Sequence, residues 1–225
     1  MIEPHYMSDK RQEYNDKYKQ PNYFQYQEWL CDPYISSLTS YCKLRPGSMV
    51  LDVGCGQGFF SYLFWKHGMT VYGIDSSEVG IKAARTAYSG TDICFSAVDI
   101  HTADFPVQFD CIFIRSCSLH NVSDFTANDI LTPKLLKYLK VGGTFIFAYY
   151  TRLGRKRSAE WRYHSLQEVA QHFKDFPGGK LFFCNRIDTV LLRRYAFSAI
   201  ITKTNVILSR VCGLGGDAVY VLVKS

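Results

Sequence analysis

The stretch Val50-Leu51-Asp52-Val53-Gly54-Cys55-Gly56-Gln57-Gly58 most constrains the fold. Met49 to Val53 is a short, mostly apolar run, the pattern of a strand buried on both faces. Three glycines at alternate positions follow, and Phe59 to His67 then reads as a helix that Gly68 stops. Glycines placed there remove side chains, so that backbone can lie against a ligand. A dinucleotide fingerprint, G-x-G-x-x-G, needs its third glycine at position 59. That position is Phe59 and the third glycine is Gly58, so the spacing argues against NAD.

The same alternation continues downstream. Thr70–Ile74 reads as a second strand, Ser77 caps a helix over Glu78–Tyr88, and Ile93–Val98 is a third strand. Asp110–Arg115 is a fourth strand, a helix runs from about Asn128 to Leu139, and Thr144–Tyr150 is a fifth. Strands and helices alternating at this spacing predict a parallel sheet with helices on both faces. Ser165 caps a helix to about Phe173, Lys180–Arg186 is a sixth strand and Ala218–Lys224 closes the chain as a seventh. Between them Thr189–Val211 reads as mostly helical, with a possible break at Thr202-Lys203-Thr204-Asn205, and Gly213–Gly216 ends it. The long connection lets the seventh strand insert antiparallel beside the sixth. No internal repeat or low-complexity tract interrupts this order. One domain over 1–225 is expected, with 1–45 as a helical lid and 189–213 as a helical insertion.

Two acids fall where such a sheet binds ligands, at the carboxyl ends of neighbouring strands. Asp75, in Gly73-Ile74-Asp75-Ser76, can accept two hydrogen bonds from a ribose diol. Asp99, in Ala97-Val98-Asp99-Ile100, can accept from an exocyclic amine such as that of adenine. Nothing nearby supplies the lysine of a phosphate loop, so a nucleoside without phosphates fits best.

Asp52-x-Gly54-x-Gly56-x-Gly58, Asp75, Asp99 and Leu139-Lys140-x-Gly142-Gly143 together resemble the class I S-adenosylmethionine-dependent methyltransferases. The resemblance runs from about Val50 to Tyr150. It implies a Rossmann-like, seven-stranded, mostly parallel α/β sheet of order 3-2-1-4-5-7-6 with strand seven antiparallel. It implies S-adenosylmethionine as cofactor and S-adenosylhomocysteine as product. By the same resemblance Asp52 and the loop Gly54, Cys55, Gly56 and Gly58 hold the methionine part. Asp75 holds the ribose with Ser76 beside it, and Asp99 and the Ile100 amide read adenine. Arg115 and Ser116 line the methionine end, and Tyr18 of the N-terminal lid touches the methionine carboxylate.

Methyl transfer from a sulfonium is an in-line displacement with an excellent leaving group, so positioning supplies much of the catalysis. A hydroxyl acceptor also calls for a general base. His120, in Arg115-Ser116-Cys117-Ser118-Leu119-His120-Asn121, is the catalytic candidate, weighed against a histidine that packs the loop. His164 reads as packing at a helix entry, and one of Tyr149 and Tyr150 is expected to face the pocket. Cys117 is preceded by Ser116 rather than proline, against a pyrimidine-methylating nucleophile. The Asn/Asp-Pro-Pro-aromatic motif of many amino methyltransferases is missing, and no acidic pair in that loop suggests a metal site.

Other features bound the partners. The net charge of +6 is too mild to name a nucleic acid, and Arg152, Arg155, Lys156 and Arg157 read as a solvated loop. Residues 189–213 mix apolar side chains with Arg193, Arg194, Lys203 and Arg210; they read as a core-packed insertion in preference to an interfacial helix. Eight scattered cysteines without C-x-x-C spacing, no signal-peptide pattern and no bilayer-length apolar run predict a cytoplasmic protein, monomeric or homodimeric. The expectation is methyl transfer to a small-molecule acceptor, at oxygen, with neither nucleic acid nor membrane surface as partner. The rivals are a non-catalytic S-adenosylmethionine-binding subunit and an RNA or protein methyltransferase.

Overall fold

The computed structural model describes residues 4–121, 131–153 and 161–225. Two helices lead, α1 (Pro4–Lys17) and α2 (Glu28–Tyr41). The alternating part follows as β1 (Met49–Val53), α3 (Phe59–Lys66), β2 (Thr70–Asp75), α4 (Glu78–Ala87), β3 (Cys94–Ala97) and β4 (Phe109–Arg115). After it come α5 (Leu131–Lys137), β5 (Leu139–Arg152), α6 (Leu166–His172), β6 (Lys180–Cys184), α7 (Arg186–Leu191), α8 (Ala199–Cys212) and β7 (Gly215–Val223). The seven strands form one sheet of order β3-β2-β1-β4-β5-β7-β6. Strands β1 to β5 pair in parallel, and β7 runs antiparallel to both β5 and β6. This is the expected fold.

Alternate residues of the strands face opposite layers. On one side Val50, Cys111, Phe113, Ile146 and Val219 pack against α2 and α3 residues such as Ile35, Leu38, Leu63 and Phe64. On the other Leu51, Ile112, Phe145, Phe147 and Leu222 pack against Leu131 and Leu135 of α5 and Val169 of α6. Both layers are filled with buried apolar side chains, which hold the carboxyl edge of the sheet in place as the platform of the site.

Three boundaries differ from expectation. Strand β5 begins at Leu139, so Gly142-Gly143 lies within the strand rather than between helix and strand. Gly142 takes φ +77°, and the β4–β5 register shifts between Phe109 and Cys111, which absorbs the extra residues. Gly215 and Gly216 belong to β7. The break in the tail falls at 192–198, not at Thr202–Asn205. Ala196 and Phe197 bury themselves there against Tyr34, Tyr41 and Phe182, and Ser198 caps α8. The polar residues read as a break instead fasten α8 to β6. Thr202 Oγ1 accepts from the Phe183 N–H at 3.3 Å, and Asn205 Nδ2 donates to the Phe183 carbonyl at 3.1 Å.

The tail is also not a core-packed insertion. Its inward-facing helix positions are polar, and most of its large apolar residues are exposed. Residues 128–130 of the expected fifth helix, and Arg155, Lys156 and Arg157, lie outside the described residues. Among the described residues no helix is long and apolar enough to cross a membrane.

Candidate active site

The glycine loop sits where β1 ends. Gly54, Gly56 and Gly58 all have positive φ, +73°, +54° and +81°. Such angles disfavour a Cβ, and at Gly56 and Gly58 there is no space for one without a shift. A Cβ on Gly56 would lie 2.6 Å from the Tyr18 hydroxyl oxygen. The loop is therefore folded tightly under the N-terminal segment. Gln57 holds that segment down. Its Nε2 donates to the carbonyls of Tyr18 and Gln20 at 3.2 and 2.9 Å, and its Oε1 accepts from the Tyr23 N–H at 3.0 Å. A second tie joins Ser77 Oγ to Asn15 Oδ1 at 2.6 Å, fixing α1 against the start of α4.

Beneath this cover lies a cavity of about 970 Å³. Its floor is Asp52 to Gln57, its side is Asp75, Ser76, Val98, Asp99 and Ile100, and its roof includes Tyr14, Tyr18 and Tyr26. Arg115, Ser116, Cys117, Tyr150, Trp161 and Tyr163 close the far end. A pocket of this size and apolar character, with a few convergent polar groups, suits a nucleoside-sized ligand together with a small second molecule.

The acids are set in place by backbone. Asp75 accepts from the Gly56 N–H and the Ser77 N–H, both at 2.8 Å. Burial nonetheless raises its pKa, and these donors only offset that. Asp52 is buried at the base of the loop. Burial pushes its carboxyl up to about 7, although Ser61 Oγ donates to it at 2.6 Å. Asp99 accepts from the His101 N–H at 2.9 Å and lies 3.8 Å from the Arg11 guanidinium. Each carboxylate has acceptor capacity beyond these donors, and all three residues line the cavity.

At the far end Ser116 takes φ +47°, a left-handed angle for a residue with a side chain. Its Oγ accepts from the Tyr150 N–H at 3.1 Å, which holds the ends of β4 and β5 together. Arg115 donates to Asp217 through Nε and Nη2 at 2.9 and 3.1 Å, and to the Tyr26 hydroxyl through Nη1 at 3.0 Å. Burial alone would lower its pKa, but the Asp217 charge outweighs it and raises it.

Every cofactor residue expected from the sequence except Gly58 lines the cavity; Gly58 instead caps α3. His120 does not. It is buried beside Phe147 and His172, with ring centroids 4.9 and 5.8 Å apart, on the layer facing α6. The short turn Ser118–His120 rotates its ring into that layer, while Ser118 and Leu119 face the cavity. His120 is thus a packing residue in this fold. His164 packs likewise: its Nε2 donates to the His120 carbonyl at 2.8 Å, and burial lowers its pKa. Of the two tyrosines, Tyr150 faces the cavity, and Tyr149 stacks on Trp161 at 5.2 Å. Burial pushes the Cys117 thiol up to about 12, which keeps it un-ionised and non-nucleophilic. Sequence reasoning missed Gln57 and Asp217. A lone acid in the otherwise apolar run of β7 was the available signal for Asp217, since a buried charge needs a partner.

Comparison with known proteins agrees with this geometry. Residues 50–143 match the model of a methyltransferase domain family. The matched span holds Asp52, the glycine loop, Asp75 and Asp99, and the sheet order is that of a Rossmann-like methyltransferase fold. The chain is 31% identical over 159 residues to phosphoethanolamine N-methyltransferase 1 of Zea mays, covering 65% of this chain and 31% of that protein. It is 36% identical over 110 residues to a ubiquinone biosynthesis O-methyltransferase of Idiomarina loihiensis, covering 47% of this chain and 44% of that one. Those matches thus span less than half of the curated relatives' length. Among solved structures, the Haemonchus contortus phosphoethanolamine N-methyltransferase 2 complex with phosphomonomethylethanolamine and S-adenosylhomocysteine aligns with TM-score 0.61 at 17% identity. That alignment covers 88% of this chain and 56% of that chain, a likeness of fold.

Proposed function

We propose that this chain binds S-adenosylmethionine in the 970 Å³ cavity and transfers its methyl group to a small-molecule acceptor held at the Arg115–Tyr150 end. The carrying observation is that Asp52, the glycine loop, Asp75 and Asp99 converge on one cavity whose far end is closed by aromatic rings. Asp75 has both the position and the free acceptor capacity for a ribose diol, and Asp99 for an adenine amine. Gly54 and Gly56 let the backbone approach the amino-acid part, and Tyr18 lies over it. The cofactor supplies an activated methyl on a sulfonium. The chain's own part is to orient the acceptor in line with that methyl and to exclude water through the Gln57-tied cover.

The acceptor atom we infer is nitrogen. The oxygen expectation rested partly on His120, which packs in the core rather than in the cavity. An amine needs no base once deprotonated, and its positive charge grows as the bond forms. The rings of Tyr14, Tyr150, Trp161 and Tyr163 around the far end suit that charge. Likeness to a phosphoethanolamine N-methyltransferase agrees with this reading. Oxygen is the second reading, favoured by the ubiquinone-pathway O-methyltransferase relative.

Calorimetry with S-adenosylhomocysteine tests the cofactor. Binding is expected, with at least about tenfold weakening in Asp75→Ala from loss of a charged hydrogen-bond acceptor. No binding at millimolar ligand, or undiminished binding by the variant, overturns it. Labelled methyl transfer to phosphoethanolamine and to a catechol-type phenol then decides the atom. Transfer only to the phenol replaces nitrogen by oxygen.

A further inference from the structure

Helix α8 is amphipathic in the inverted sense. Its polar residues Asn205 and Ser209 are 3% and 0% exposed and face the protein. Asn205 anchors that side, donating to Asp188 Oδ2 at 2.7 Å and accepting from Asn185 Nδ2 at 3.2 Å. The outward stripe holds Ile200, Ile207 and Val211, which are 76%, 63% and 79% exposed. Lys203, Thr204 and Leu208 share that stripe, because positions 200, 203, 204, 207, 208 and 211 recur at helical spacing. The preceding turn and α7 continue the theme with exposed Leu191, Leu192 and Tyr195. Isolated exposed apolar residues are ordinary, but a stripe with Ile200, Ile207, Leu208 and Val211 exposed over a buried polar face marks a contact surface.

The charge on this surface says what it meets. Arg193, Arg194, Lys203 and Arg210 are all exposed, and no Asp or Glu occurs from Thr189 to Cys212. Apolar side chains flanked by cations alone complement an anionic lipid surface, where the apolar stripe enters the acyl boundary and the cations meet headgroups. A second copy of this chain would place four cations against four cations across a two-fold contact, which disfavours it.

We propose that the α7–α8 face seats this protein on an anionic membrane surface. The face also adjoins the functional end of the fold. Ile187 of α7, exposed on this side, lines a second cavity of about 220 Å³ whose other walls include Arg115, Phe60 and Tyr150. Those three residues also line the main cavity. The surface is therefore one small chamber away from the acceptor end.

Co-sedimentation of the full chain with vesicles tests this. Vesicles of phosphatidylcholine with about a third phosphatidylserine are compared with phosphatidylcholine alone. Binding to the mixed vesicles is expected, weakened by high salt and absent with phosphatidylcholine alone. Lys203→Gln with Arg210→Gln is expected to lower partitioning about 30-fold, given two surface cations lost. Ile200→Ser with Ile207→Ser is expected to lower it at least about tenfold. S-adenosylhomocysteine affinity, read on the same variants, stays unchanged and reports that they are folded. No binding to mixed vesicles overturns the proposal, and so does equal binding by both variants. Sedimentation velocity showing a dimer that Ile207→Ser dissociates, without vesicle binding, assigns the face to a second copy and equally overturns it.

Discussion

Arg115 and Asp217 form a two-pronged ion pair across 102 residues of chain, although a whole strand lies between them in the sheet. Arg115 stands beside Ala148 of β5 in register, and Ala148 stands beside Val219 of β7. Asp217 is two residues before Val219 and faces the same side. A methyl at Ala148 leaves the guanidinium room to reach over β5. The pair is buried, so removing one partner strands the other charge. Asp217→Ala is expected to destabilise the fold by about 3–5 kcal/mol in urea denaturation. Ala148→Leu, filling the gap, is expected to cost about 1–3 kcal/mol through overpacking and to separate the pair.

Tyr18 and Gly56 are expected to couple. Gly56→Ala meets the Tyr18 hydroxyl at 2.6 Å and also forces a side chain to φ +54°. The backbone part, about 1 kcal/mol, persists in any background. The steric part shrinks when Tyr18→Phe removes the hydroxyl. A double-mutant cycle on thermal stability is expected to return an interaction energy of at least about 0.5 kcal/mol. An additive result would place Tyr18 away from the loop.

Asp52 links the cavity to pH. Burial pushes its carboxyl up to about 7 in the folded chain, well above the ordinary carboxylate range. Because the folded value is the higher one, this group favours the apo fold most at low pH and loses that contribution as pH rises through about 7. A cationic ligand reverses the preference, since it favours the ionised carboxylate. Affinity for S-adenosylmethionine is thus expected to fall below pH about 7, by up to about tenfold per pH unit. Asp52→Asn flattens that dependence. Calorimetry across the pH range, in buffers of different ionisation heat, reads both affinity and proton release.

The start of α6 carries a reciprocal cap. Ser165 Oγ accepts from the Glu168 N–H at 3.2 Å, and Glu168 accepts from the Ser165 N–H at 2.7 Å. Burial raises the Glu168 carboxyl, but the Ser165 and Arg162 donors outweigh it and hold it at about 2. The folded value is the lower one, so this contribution is present above about 4.5 and lost as pH falls toward about 2. Ser165→Ala is expected to cost about 1 kcal/mol, measured by chemical denaturation at neutral pH.

Local chemistry explains what was legible beforehand. The strand–helix alternation, the glycine loop and the placing of Asp75 and Asp99 near strand ends follow from neighbours close in sequence, whereas the strand order is legible only through the family resemblance. Asp217 was not legible, because its partner Arg115 arrives through the sheet order rather than through spacing. His120 misled for a related reason. One turn after β4 decides whether a side chain faces the cavity or the core, and that rotation depends on how Phe147 and His172 pack around it. The tail misled because an apolar helix pattern reports a face without reporting which way the face points. Only the buried Asn205, tied to β6, settles that direction.

The Gln57 clasp makes the opening segment of the chain part of the active-site wall. Residues 14–26 supply the ceiling, while the ends of β1, β2, β4 and β5 supply the floor, part of the side and the far end. Changes of acceptor preference can therefore be written into a stretch that lies outside every strand of the sheet. The same arrangement makes the cavity sensitive to changes in residues 14–26. A fusion or trimming there would alter what the cavity admits, much as reshaping a lock's faceplate changes the keys it takes while leaving the bolt untouched.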